Sequence, residues 1–227
     1  MVERQLVELD VAGSNPVGHP KFLPQENISN YYASSLSSNL WYNTFMSTIQ
    51  FETKLFKINS WTILHLPTDA SAQLPSRGMT MVSGTMNGVP FKTLLEPDGM
   101  YGPGKKPSHW FSPNKKLLDD AHAAAGDTVK ISLEPTKEWI EPEVPVDLKK
   151  ALSSSPKAEA LWKDITPLAR WDWIRWIRAV KTQETRQKHI EVALDKLNKG
   201  MRRPCCFNRS LCSEPSVSHN WALLDPS

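Results

Sequence analysis

The stretch that decides the fold reads Met79-Thr-Met-Val-Ser-Gly-Thr-Met-Asn-Gly-Val-Pro-Phe-Lys-Thr-Leu-Leu95. Two β-favouring runs, Met79–Val82 and Val89–Leu95, flank the pair Asn87-Gly88. A two-residue type I′ turn needs positive φ at both central residues, and Asn-Gly meets this need better than almost any other pair. The stretch therefore predicts a β-hairpin.

Similar short runs lie on both sides of this hairpin. Alternating apolar residues over Ile49–Leu55 and Thr128–Leu133 are typical of half-buried strands, and Trp61–Leu66 and Ser108–Ser112 are also β-favouring. Frequent turn residues separate these runs, which favours a rolled sheet over a parallel α/β fold. We predict a small closed β-barrel of about six strands over residues 47–140.

Over residues 141–206 the apolar residues no longer recur at every second position, as in a strand, but about every 3.6 positions, as in a helix. Ser155-Pro156 and Thr166-Pro167 are helix-start signals, because Pro suits the first helical position. A last helix is predicted from Gln183 to Lys199, with Gly200 in the position after its end. We expect a C-terminal bundle of about three helices, so the fold class is α+β.

Both ends of the chain lack a regular apolar pattern. Residues 1–46 and 207–227 are predicted to be disordered. The stretch Gly13-Ser-Asn-Pro16 matches the translation of a transfer-RNA T-arm, GGTTCGAATCC. This match suggests that translation begins at Met46 and that the upstream residues come from a mis-assigned start.

The composition of the chain indicates its cellular compartment and the classes of partner that it could bind. The 227 residues contain three cysteines, all within Cys205–Cys212, so the body of the chain has no disulfide framework. Apolar runs are too short to span a bilayer, and the N-terminus lacks a signal-peptide pattern. We expect a cytoplasmic protein without a membrane partner. The segment from Lys163 to Arg203 contains eleven Lys and Arg but five Asp and Glu. This excess of positive charge favours anionic partners.

Two ordered sets of motifs carry a family resemblance. The first contains Gly84–Phe91, Ala125–Val129 and Val144–Leu148. The second runs from Thr185–Ile190 to Leu197–Cys205, which ends in Arg-Arg-Pro-Cys. Over residues 48–206 the chain resembles the bacterial YdeI/OmpD-associated (bacteriocin-protection) family, including its N-terminal barrel domain of unknown function.

The resemblance implies a barrel followed by helices in the cytoplasm, but it implies no reaction, because the family has no established one. His189 stands where the family often has Arg, and the loop at 101–106 differs from the shorter turn expected. The word bacteriocin-protection names a phenotype and gives no mechanism.

The helical region offers two candidate ligand-binding groups. Trp171 lies beside Arg175 and Arg178 on a helical wheel, where it could stack on a base or an anionic aromatic ligand. The alternative is that Trp171 packs against the barrel with the arginines folded over its ring. Arg186 and Lys188 belong to a basic cluster suited to phosphate, although basic residues on this helix also suit its dipole.

The barrel offers a third group. His109 and Asn87 are candidates to line a barrel mouth, where small ligands often bind. No Ser/His/Asp, Cys/His or paired-carboxylate set is recognisable, so no catalytic residue is predicted. A zinc site could be imagined at Cys205, Cys206, Cys212 and His219, but these residues lack the usual Cys-x-x-Cys spacing. We therefore predict neither a metal nor a cofactor.

These observations favour a non-enzymatic binding or interaction module for an anionic ligand or nucleic acid. One alternative is a small-molecule enzyme with its site at the barrel mouth, using His109. Another is a stress-related scaffold whose Trp-rich face docks a protein partner.

Overall fold

A computed structural model describes residues 48–100 and 102–226. The predictions made for residues 1–46, including a start at Met46, lie outside the described residues. All the described residues belong to one compact unit, Met46–Ser227.

Seven strands form one antiparallel sheet in the order β1-β7-β4-β5-β6-β3-β2. Their bounds are β1 Ile49–Lys54, β2 Phe56–Ile58, β3 Trp61–His65, β4 Thr80–Met86, β5 Val89–Pro97, β6 His109–Phe111 and β7 Thr128–Pro135. The α+β class is confirmed.

The prediction of a closed barrel of about six strands is wrong, because the sheet is an open half-barrel of seven. β1 and β2 lie at opposite ends of the strand order, and among the described strands no ladder joins these two ends. The two strands follow one another directly across Leu55, so they cannot pair with each other.

The predicted hairpin is confirmed as β4 and β5. Asn87 and Gly88 have φ of 50° and 87°, and Met86 pairs with Val89 across the turn. Alternation along the two strands gives the sheet two apolar faces. Val82 and Leu95 belong to the barrel interior, whereas their neighbours Met81 and Leu94 point outward. The outward face is where the helical region packs.

Six helices are present in the described part of the chain: α1 Thr68–Ala72, α2 Lys115–Asp120, α3 Val146–Ser153, α4 Pro156–Asp164, α5 Pro167–Arg178 and α6 Gln183–Asn198. The C-terminal bundle therefore has four helices instead of about three, because Val146–Ser153 forms a helix of its own. Thr166 and Thr182 cap α5 and α6, each accepting a backbone N–H with its hydroxyl oxygen. No helix among the described residues is both long and apolar enough to cross a bilayer.

The disorder predicted for residues 207–227 is contradicted over 207–226. Strands β8 Ser218–His219 and β9 Ala222–Leu223 form a small hairpin. Cys212 and Val217 are fully buried against Trp110 of β6 and its neighbours. The segment has few apolar residues, but they cover a part of the sheet that would otherwise be exposed.

Candidate functional site

Trp171 packs between α5 and the outer face of the sheet. Its Nε1 donates to the carbonyl oxygen of Ile140 at 3.0 Å, and its ring joins a cluster that contains Met81 and Leu94. These contacts agree with packing of Trp171 against the sheet, but the two arginines bond to Glu96 instead of lying over its ring. A ligand-stacking role for Trp171 remains a prediction without a structural feature in its favour.

Arg175 and Arg178 are engaged inside the protein. Both guanidinium groups donate to Glu96 at the end of β5, Arg175 through Nε at 3.0 Å. Arg175 is completely buried and also donates to the carbonyl oxygens of Arg209 and Leu211. Burial opposes the charge of Glu96, but the two guanidinium groups outweigh it and hold the pKa of this carboxyl below its usual value.

Arg186 and Lys188 also have acidic partners. Arg186 donates to both carboxylate oxygens of Asp147 on α3, at 2.6 and 3.1 Å, and this bond lowers the pKa of Asp147. Lys188 pairs with Glu184 one turn earlier on α6. The first pair joins two helices of the bundle, and the second is an exposed surface pair.

His109 and Asn87 bond to the barrel itself. His109 is buried, and burial lowers the pKa of its ring. Its Nε2 donates to the carbonyl oxygen of Gly78, so its Nδ1 accepts from the Ser71 hydroxyl, both at 2.8 Å. Asn87 is exposed and uses its side-chain amide to tie the hairpin turn to Ala121 and Lys130.

The sequence-predicted residues therefore do not meet at one site. Trp171, Arg175, Arg178, Arg186 and His109 each bond to another part of the fold. A separate cleft along α2 measures about 250 Å³, but its lysines, Lys92 and Lys116, are paired with acidic residues. Among the described residues, no group of three or more His, Cys, Asp or Glu side chains is arranged to hold a metal ion.

A cavity of about 190 Å³ lies where the turn between α5 and α6 meets the C-terminal hairpin. We call it the hairpin cavity. Its walls are formed by Ala179, Lys181, Cys212, Ser213, Pro215, Ser218, Asn220 and Trp221. Two of these residues stand out in the sequence: Lys181, which belongs to the basic cluster of Arg186 and Lys188, and Cys212, which was considered above only as a zinc ligand.

Ser213, one of the residues that line the hairpin cavity, has an unpaired polar atom. Ser213 is 2% exposed, and its hydroxyl has no hydrogen-bond partner. A buried hydroxyl usually has at least one partner, because an unpaired one loses its bond to water without a replacement. The Lys181 side chain is exposed at the same cavity, and the described residues give it no acidic partner.

Strained backbone surrounds the cavity mouth. Asn220 and Trp221 have φ of 49° and 68° at the tip of the β8–β9 hairpin. Positive φ is common for Asn but rare for a bulky aromatic residue, and such strain often occurs at functional sites. Trp221 is 46% exposed, and its carbonyl oxygen accepts from the backbone N–H of Cys212 at 3.1 Å.

Cys212 does not add negative charge to this cavity. Burial raises the pKa of its thiol, so the sulfur stays protonated near neutral pH. The nearest charge on the cavity wall is thus the ammonium group of Lys181. An ammonium, a free hydroxyl and an exposed indole make the cavity suited to a small anionic group.

Two family models match the chain over separate segments. Residues 45–133 match a domain of unknown function, DUF1905, and residues 141–200 match the family described as bacteriocin-protection, YdeI or OmpD-associated. The helical region is thus similar to the YdeI/OmpD-associated family. No similar protein was found among curated proteins.

The hairpin cavity lies across the C-terminal boundary of the matched helical region. Ala179 and Lys181 lie inside the matched helical region, whereas the residues from Cys212 to Trp221 lie beyond both matched segments. Six of the eight residues in the cavity wall therefore come from a part of the chain that neither family model covers. The family descriptions name no ligand and no reaction.

Proposed function

We propose that this protein is a non-enzymatic binding module and that the hairpin cavity is its site for a small anionic group such as a phosphate or a carboxylate. The observation that carries the proposal is the buried, unpaired hydroxyl of Ser213 in a wall that also contains Lys181. The family has no established reaction that argues for another role.

An anionic ligand would satisfy both groups at once. Its oxygen would accept a hydrogen bond from the Ser213 hydroxyl and a charge-assisted one from Lys181. Charge-assisted bonds are about twice as strong as neutral ones. Because Lys181 is exposed, it would also help to attract the ligand from solution.

The charges of the helical region favour a small anion over a long nucleic acid. A nucleic acid needs a row of free cations along its backbone. Here Arg175, Arg178 and Arg186 are paired with Glu96 and Asp147 inside the fold. The basic excess of this region therefore supplies fewer open contacts than its sequence suggests.

The two alternative functions have less support. An enzyme at the barrel mouth would use His109, whose two ring nitrogens are both occupied by Ser71 and Gly78. A scaffold would dock a partner on the Trp-rich face, but Trp171 lies against the sheet and Trp173 is buried in the bundle. The proposal places the module in the cytoplasm, which its three free cysteines support.

The proposal is tested by isothermal titration calorimetry of the full chain with three probes: inorganic phosphate, phenyl phosphate and the neutral compound benzyl alcohol. We expect the two anions to bind and the neutral probe not to bind. Ser213→Ala and Lys181→Ala should each weaken binding about tenfold, the factor that corresponds to about 1.4 kcal/mol.

Lys199→Ala is the matched control, because Lys199 is an exposed lysine that pairs with Asp195 away from the cavity. It should bind the anions as the wild type does. Equal affinity in all four proteins, or no binding of either anion by the wild type at low salt, would refute the proposal.

A further inference from the structure

Two exposed thiols and an ammonium group meet just beyond the end of α6. Cys205 and Cys206 are consecutive and exposed, whereas Cys212 is buried. Lys196, in the last turn of α6, donates from Nζ to the sulfur of Cys205. Of the three cysteines, Cys205 thus combines exposure with a cationic partner.

The loop that carries these thiols is held in place on both sides. Before them, Arg203 donates to Asp172 of α5 at 3.1 Å. After them, Arg209 donates to the same carboxylate at 2.9 Å, and the Phe207 ring lies under the Arg175 guanidinium. The Lys196–Cys205 contact is therefore part of an anchored loop.

We propose that Cys205 is a nucleophilic cysteine that is covalently modified by hydroperoxides and other soft electrophiles. This site is independent of the hairpin cavity and of the function proposed for it. Cys206 is its neighbour and not the primary target, because the ammonium group of Lys196 contacts Cys205.

The physical basis is stabilisation of the thiolate. The hydrogen bond from Lys196 lowers the pKa of Cys205, whereas burial raises that of Cys212. The thiolate is the reactive form of cysteine, so the fraction of Cys205 that is ionised at neutral pH sets the rate at which it attacks an electrophile. Exposure then decides whether an electrophile can reach the sulfur.

The reaction with a hydroperoxide balances without a bound cofactor. The Cys205 thiolate attacks one peroxide oxygen, a sulfur–oxygen bond forms and the oxygen–oxygen bond breaks. The sulfur loses two electrons and becomes a sulfenic acid, while the leaving alkoxide or hydroxide takes a proton from water. A small cellular thiol then attacks the sulfenic sulfur and releases water, and a second such thiol frees Cys205.

The test uses the folded full-length chain with two probes, iodoacetamide and hydrogen peroxide followed by dimedone. Peptide mass spectrometry then gives the rate at each cysteine. We expect Cys205 to be modified first with both probes, and roughly tenfold or more faster than buried Cys212.

Lys196→Met should slow the modification of Cys205 several-fold at pH 7, and this difference should shrink at high pH, where every thiol is ionised. Lys199→Met removes a lysine of the same helix end that pairs with Asp195 instead, and should leave the rate unchanged. Cys206→Ser should leave Cys205 reactive. Primary modification of Cys206, or equal slowing by the two lysine variants, would overturn the proposal.

Discussion

The carboxylate of Glu96 accepts a hydrogen bond from Nε of Arg175 at 3.0 Å, although 79 residues separate the two in the chain. Glu96 is the last but one residue of β5, and Arg175 lies in the last turn of α5. Arg178 donates to the same carboxylate. This ion cluster is the main polar link between the half-barrel and the helical bundle.

Removing the shared acid should destabilise the fold strongly. Glu96→Gln leaves Arg175 and Arg178 buried with less compensation for their charge, and breaking a buried pair typically costs about 3–5 kcal/mol. Urea unfolding of the variant measures this loss. The control Glu138→Gln breaks an exposed pair with Lys92 and should leave the unfolding midpoint nearly unchanged. Equal midpoints for the two variants would contradict this account of the ion cluster.

Glu96 should also make the stability of the fold depend on pH. The pKa of Glu96 is lowered in the folded state, so folding is favoured while its carboxyl is ionised. This stability is present above the usual value of 4.5 and is lost as the pH falls through the lower folded value. Urea midpoints between pH 7 and pH 3 should fall steeply for the wild type and less steeply for Glu96→Gln. Parallel curves would show that Glu96 does not contribute to acid unfolding.

Gly99 should be essential for docking of the C-terminal hairpin. A Cβ at this position would lie 1.7 Å from the carbonyl oxygen of Trp221. Gly99→Ala should therefore detach the hairpin, expose the Cys212 thiol to alkylation and remove protection of the Cys212 amide in hydrogen exchange. Gly88→Ala is the control, because Gly88 also has positive φ but has no atom within 4 Å of the added Cβ. It should cost only about 1–2 kcal/mol and leave Cys212 protected.

His109 should act as a structural residue. His109→Phe would leave the Ser71 hydroxyl and the Gly78 carbonyl without their observed partners, at about 1–3 kcal/mol for each buried group. Thermal unfolding should show a clear loss for this variant. His219→Phe, at an exposed position of β8, is the comparison and should change little. An unchanged melting temperature for His109→Phe would contradict the assignment.

Local features of the fold could be predicted from the sequence because neighbouring residues determine them. The Asn87-Gly88 turn and the helix from Gln183 depend on turn and capping chemistry over a few positions, and both are confirmed. Closure of the sheet could not be predicted, because it depends on which strands meet at distant edges. The brief ladder between β3 and β6 leaves no trace in the local pattern.

The candidate site was hidden from sequence reasoning for the same reason. The partners of Arg175 and Arg178 are determined by the position of Glu96, some eighty residues earlier. The unpaired state of Ser213 depends on everything packed around its hydroxyl. Asn220 is a turn-favouring residue that stands before an apolar run, and sequence reasoning missed it as a signal for a hairpin tip. Its φ is positive, as a hairpin tip requires.

The most direct test of the central claim is a nuclear magnetic resonance titration of the full-length chain with inorganic phosphate. If the hairpin cavity binds the anion, the backbone amides of Ser213 and Asn220 and the indole N–H of Trp221 should show the largest shifts, and Ser213→Ala should reduce them. Shifts that centre on other residues, or that are the same in Ser213→Ala, would contradict the claim.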